Sequence, residues 1–121
     1  MAIAVDAMGG DSPLTVQIEA ALKAISELGT EVVLVGAEDR IKEILKKKSY
    51  DKNKLRIVNS TEIVEMDDSP ATALRQKKNS SIKVAIDLLA TGEADAVVSA
   101  GNTGAAMATA KLVLKSVEGI E

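Results

Sequence analysis

A chain of 121 residues has room for one hydrophobic core and no more. It contains neither His nor Cys, which excludes an ordinary Ser-His-Asp triad, a His- or Cys-ligated metal, a thiolate nucleophile and any disulfide, and leaves carboxylates, hydroxyls, Lys, Arg, Asn and backbone N–H groups for chemistry. Aromatic residues make up 1% of the chain, with Tyr50 the sole ring, and 15 basic against 18 acidic residues give a net charge of −3, so base-stacking platforms and a global field for nucleic acid or an anionic membrane are excluded too.

Residues 2–8 form a small apolar run that breaks at Gly9-Gly10, as a buried strand would. Asp11-Ser12-Pro13 then offers a cap residue and a proline for the first helical position. Leu14, Ile18, Ala21, Leu22, Ile25 and Leu28 follow on one helical face, and Gly29 stands where a left-handed cap is wanted. Residues 31–36 repeat the buried-strand pattern. Residues 38–48 repeat the helix, with Ile41, Ile44 and Leu45 inward, acidic residues in the first turn and Lys46-Lys47-Lys48 in the last. Residues 55–58 read as a third strand.

Periodicity fails from Ser60 to Ser81, a polar stretch of the length that in compact domains is functional or mobile. Ile82, Ala85, Ile86 and Leu89 then define a helix ending at Gly92, residues 94–100 a fourth strand, and Gly101-Asn102-Thr103-Gly104 the opening of an Ala-rich helix that runs to about Lys115. Strands alternating with helices predict a three-layer α/β/α fold around a mostly parallel sheet. A complete small flavodoxin-like domain more often has five strands, and residues 116–121 stop on a turn where another strand is expected, so the chain reads as part of something longer. No apolar run approaches the roughly 20 residues of a membrane span, and the start lacks the basic region of a secretory leader; the expectation is a cytoplasmic protein.

Two segments combine a strand end, glycine and a helix start: Asp6-Ala7-Met8-Gly9-Gly10-Asp11 and Ser99-Ala100-Gly101-Asn102-Thr103-Gly104. Strand ends and helix N-termini of a parallel sheet form an anion-binding crevice, and phosphate is its natural guest. Gly9-Gly10 reads equally as a tight turn, and Asn102 as a helix cap. Neither segment is a Walker or dinucleotide fingerprint. Asp6, at the end of an apolar strand, either caps its own turn or faces the crevice. Arg75, Lys77 and Lys78 in the polar stretch offer cations to a bound anion or form a solvated charge run. Asp67 and Asp68 are adjacent and do not converge on one ion, so no metal and no cofactor is expected. Lys46, Lys47, Lys48, Lys52, Lys54 and Arg56 make a local basic stretch, read either as a docking surface for an acidic partner or as lysines drawn to a helix C-terminus.

Together, Ile3-Ala4-Val5-Asp6-Ala7-Met8-Gly9-Gly10-Asp11 with Pro13, Met66-Asp67-Asp68-Ser69-Pro70 with Arg75, Lys77 and Ser80-Ser81, and Ser99-Ala100-Gly101-Asn102-Thr103-Gly104-Ala105 closely resemble the N-terminal part of the phosphate acyltransferases of bacterial fatty acid and phospholipid synthesis. The resemblance implies transfer of a long-chain acyl group from acyl carrier protein to inorganic phosphate, giving acyl phosphate. It also implies a fold similar to the phosphotransacetylases and the isocitrate or isopropylmalate dehydrogenases, a homodimer, and loose attachment to the inner membrane face. Carried over by motif are Asn102, Thr103, Arg75 and Lys77 as catalytic residues, and Asp6, Gly9, Gly10, Asp11, Ser80, Ser81, Gly101 and Gly104 as phosphate or substrate contacts. Family members are more than twice as long, so residues 1–121 alone are expected to be inactive. The alternatives are phosphotransacetylase-type transfer from an acyl-coenzyme A and a non-catalytic phosphate-binding module.

Overall fold

The computed structural model describes residues 2–8, 13–61, 69 and 79–99. Among these, strands β1 (Ala2–Asp6), β2 (Glu31–Gly36), β3 (Leu55–Asn59) and β4 (Ala96–Ser99) alternate with helices α1 (Leu14–Leu28), α2 (Glu38–Leu45) and α3 (Ser81–Ala90). The strands form one sheet in the order β3-β2-β1-β4 with every pairing parallel. Successive residues of a strand point to opposite faces, and β2 has an apolar partner for each. Val32 and Leu34 pack with Ile18 and Ile25 of α1 and Ile41 and Leu45 of α2. Val33 and Val35 pack on the other face with Ala85 and Leu88 of α3. The expected three-layer α/β/α architecture is therefore present, with helices on both sides of a parallel sheet.

Element ends differ from the sequence reading in physically simple ways. Strand β1 stops at Asp6 and the chain turns at residues 7–8, although the Ala7 N–H still donates to the Val35 carbonyl (2.9 Å). Pro13 is the N-cap of α1 and not its first helical residue: its ψ of 148° is extended, and its carbonyl accepts from the N–H groups of Val16 and Gln17. The buried stripe of α1 is Leu14, Ile18, Ala21 and Ile25, while Leu28 is 75% exposed in the last turn. Gly29 adopts the expected left-handed cap (φ 65°), its N–H bonded to the Ile25 carbonyl.

Helix α2 ends at Leu45, a turn earlier than the lysine run suggests, and Lys48 N–H donates back to the Leu45 carbonyl. The last-turn cation is Lys42, 2.7 Å from Glu38. The hydrogen bond from that carboxylate, and then its charge, hold the Lys42 amine above the usual lysine range. β3 extends one residue further than predicted, to Asn59, whose Oδ1 accepts from the Glu38 N–H and so caps α2. β4 begins at Ala96 rather than Ala94, which is buried in the α3-side core. The polar stretch ends in a helix start: Ser80 caps α3 and Ser81 is its first residue. The interior of that stretch and the helix expected after Gly104 lie outside the described residues.

Candidate functional site

From β1 the chain winds outward through β2 to β3, then crosses back to place β4 on the other side of β1. The carboxyl ends of β1 and β4 therefore flank the point where the winding reverses, the place at which open parallel sheets bind ligands. The last residues of these strands, Asp6 and Ser99, are paired in register. Asp6 is only 2% exposed. Its Oδ2 accepts from the Ser99 hydroxyl at 2.8 Å, and its Oδ1 from the Met8 N–H at 3.2 Å. Val58, Val35, Asp6 and Ser99 form one row across the sheet, on the face that α3 covers. Met8 is held from a second side as well, since a Cβ on Gly36 would lie 2.7 Å from Met8 Cγ and 3.0 Å from its sulfur.

A helix crossing between parallel strands runs back along the sheet, so the N-terminus of α3 lies at this same carboxyl edge. Its first turn is positively polarised, with N–H groups available to an anion. Ser80 and Ser81 are both buried here, and the Ser80 hydroxyl accepts from the Lys83 N–H at 3.2 Å. That bond uses a lone pair and leaves the O–H able to donate. Asn79 Nδ2 donates to Thr61 Oγ1 at 2.7 Å, which ties the two ends of the polar stretch together.

Two residues of this edge escaped the sequence reading. Ser99 stands within a glycine motif, and its carboxylate partner lies 93 positions away in the chain. Ser60 follows β3, is 6% exposed, and donates its N–H to the Gly36 carbonyl at 2.8 Å. Its hydroxyl is the one buried side-chain polar atom among the described residues without a hydrogen-bond partner. Both lie within two residues of the carboxyl end of a predicted parallel strand, and that position is the signal that marks them.

Of the residues carried over by motif, Asp6, Ser80 and Ser81 are described, and all three belong to the carboxyl edge. Gly9, Gly10, Asp11, Arg75, Lys77, Gly101, Asn102, Thr103 and Gly104 lie outside the described residues, as do Asp67, Asp68 and Lys78. In sequence, Gly9 comes three positions after Asp6 and Gly101 two after Ser99. The basic stretch is elsewhere. Lys46, Lys48 and Lys52 line a cleft of about 500 Å³ with Tyr50 and Ile57 at the opposite, amino edge of the sheet. Lys54 donates to the Gly29 carbonyl, and Arg56 pairs with Glu93 at 3.2 Å. Among the described residues no three acidic side chains gather as a metal site requires, and no helix is long and apolar enough to cross a membrane.

The profile of a family described as "Fatty acid synthesis protein" matches residues 1–121. The chain is 49% identical over 121 residues to the phosphate acyltransferase of Dictyoglomus thermophilum, covering 100% of this chain and 36% of that protein. It is 48% identical over 120 residues to the phosphate acyltransferase of Hydrogenovibrio crunogenus, covering 98% of this chain and 36% of the relative. It is 50% identical over 121 residues to that of Desulfitobacterium hafniense strain DCB-2, again covering 100% and 36%. The chain thus spans about a third of the length of the curated relatives it matches.

Proposed function

Since the chain belongs to the fatty acid synthesis protein family, we propose that it forms the phosphate-handling part of an acyltransferase that moves a long-chain acyl group from acyl carrier protein to inorganic phosphate. The observation that carries this reading is the switch point between β1 and β4: the two glycine segments follow directly on the two strands whose ends meet there. A phosphate oxygen attacks the thioester carbonyl, the C–O bond forms as the C–S bond breaks, and the proton of hydrogen phosphate ends on the departing thiol. The products are acyl phosphate and free carrier thiol. Phosphate is itself the nucleophile, so the absence of His and Cys from these 121 residues is compatible with the reaction.

What the protein must supply is an anion cradle and donors aimed at the developing oxyanion. Gly9, Gly10, Asp11, Gly101, Asn102, Thr103 and Gly104 are assigned to those tasks, with Arg75 and Lys77 contributing positive charge and Ser80 and Ser81 contributing hydroxyls at the start of α3. A homodimer, a cytoplasmic location and peripheral contact with the membrane belong to the same reading, by likeness to the family.

The test uses the full-length protein with acyl-carrier-protein thioester and phosphate, trapping acyl phosphate with hydroxylamine. Asn102→Ala and Arg75→Ala are each expected to lower turnover by about 100-fold, the scale of a lost oxyanion donor. Unchanged turnover in both variants removes these residues from the mechanism. Equal use of a coenzyme A thioester overturns the choice of donor, and binding of phosphate without acyl transfer from either thioester overturns the enzymatic reading.

A further inference from the structure

We propose that Asp6 is a positioning residue and not a ligand of phosphate: its carboxylate ties the end of β4, at Ser99, to the turn that leaves β1, at Met8. The proposal rests on the acyl-transfer reading for its functional consequence, but its geometry stands independently. Asp6 lies at the switch point, yet its side chain is 2% exposed and both carboxylate oxygens are engaged within the protein, one by the Met8 N–H and one by the Ser99 hydroxyl. No Lys or Arg among the described residues pairs with it. A buried anion is a poor neighbour for a phosphate dianion, because the two repel most strongly where water is excluded.

As a strut, the same carboxylate has a clear task. Met8 is the residue before Gly9, and Ser99 stands two before Gly101. Among the described residues the last pair of the β1–β4 ladder is Asp6 with Ser99, and the Asp6 carboxylate adds a side-chain link at that pair. The 2.8 Å bond from the Ser99 hydroxyl to the Asp6 carboxylate joins the two strand ends through their side chains as well as through the backbone. On the other side, Met8 is pressed against Gly36, so the turn leading to Gly9 is held by β1 and β2 together.

Asp6→Asn and Ser99→Ala, alone and combined, test the idea in the full-length protein; Asn replaces one acceptor oxygen with an NH2 donor, so the Met8 N–H and the Ser99 O–H no longer each face an acceptor oxygen. Hydrogen exchange reads the positioning directly. Both single variants are expected to speed exchange in the peptides spanning residues 7–12 and 99–104, and Ser99→Thr, which keeps the hydroxyl, is expected to restore the wild-type pattern. Unchanged exchange in residues 99–104 of Asp6→Asn overturns the proposal whatever the enzyme does.

Kinetics reads the consequence. Well below the melting temperature, kcat is expected to fall by about 100-fold, the scale of an ångström of misplacement. The KM for phosphate should stay within about threefold, and the double variant should be no worse than the poorer single one, as for residues acting through one contact. A KM for phosphate that drops in Asp6→Asn while kcat holds would show direct repulsion of bound phosphate, and would overturn the proposal. A wild-type protein that makes no acyl phosphate defeats the functional reading alone, and the exchange data still decide the role of Asp6.

Discussion

Gly36 has no side chain because Met8 occupies the space one would fill. An ideal Cβ there would meet Met8 Cγ at 2.7 Å, Met8 Sδ at 3.0 Å and Ile41 Cδ1 at 3.2 Å. Methionine is adaptable, but the nearest atom is in the middle of its side chain and not at the free end. Gly36→Ala is therefore expected to destabilise the protein by about 1–3 kcal/mol, as overpacking does. Adding Met8→Ala should recover part of that loss, so that urea denaturation shows the double variant more stable than the sum of the singles predicts. Residue-scale features such as this one are poorly legible in a sequence. Gly36 reads as the end of a strand, and nothing local says that a methionine from a neighbouring turn rests on it. The same holds for Asp6. Its place at a strand end was readable from the apolar run before it, whereas its hydroxyl partner is 93 positions away.

At the scale of elements, legibility followed the source of the stabilising energy. Strands β1 and β2 were readable because each is buried on both faces and carries an unbroken apolar run. The stripe of α1 and its left-handed Gly29 cap were readable for similar reasons, as they follow from spacing and from a backbone angle that glycine adopts freely. Errors came where charge stood in for packing. The lysine run after Leu45 suits a helix C-terminus, but Leu45 is the last residue with a core to enter, and the helix stops there. The start of α3 was hidden for the opposite reason, since its cap is made of polar residues that merge into the polar stretch before it. Ser80 supplies that cap through its bond to the Lys83 N–H. Ser80→Ala should cost about 1 kcal/mol of stability and Ser80→Gly only a few tenths, measured by denaturant midpoints at constant slope.

In the molecule as a whole, the sheet separates two cores. Ile41 belongs to the one beneath α1 and α2, and Leu88 to the one beneath α3. Ile41→Val is expected to cost about 0.5–1.5 kcal/mol and Leu88→Ala about 2–5 kcal/mol. Because the strands stand between them, the combined variant should match the sum within about 0.5 kcal/mol, whereas Ile41→Val with Leu34→Ala, which share one core, should not. The seam between β1 and β4 bears on how this assembly comes about. It is pinned by a carboxylate at each end, Asp95 accepting from the Ala2 N–H at 2.8 Å and Asp6 from the Ser99 hydroxyl, and both bonds join residues 93 positions apart. The pairing of β1 with β2 closes far shorter segments, such as Ala2 with Glu31, 29 positions on. Loop closure over the longer span costs about 1 kcal/mol more. Contacts of long sequence separation also form late. The seam that carries the Asp6–Ser99 bond is thus the costliest part of the sheet to close, and it is expected to form after β1, β2 and β3 have joined.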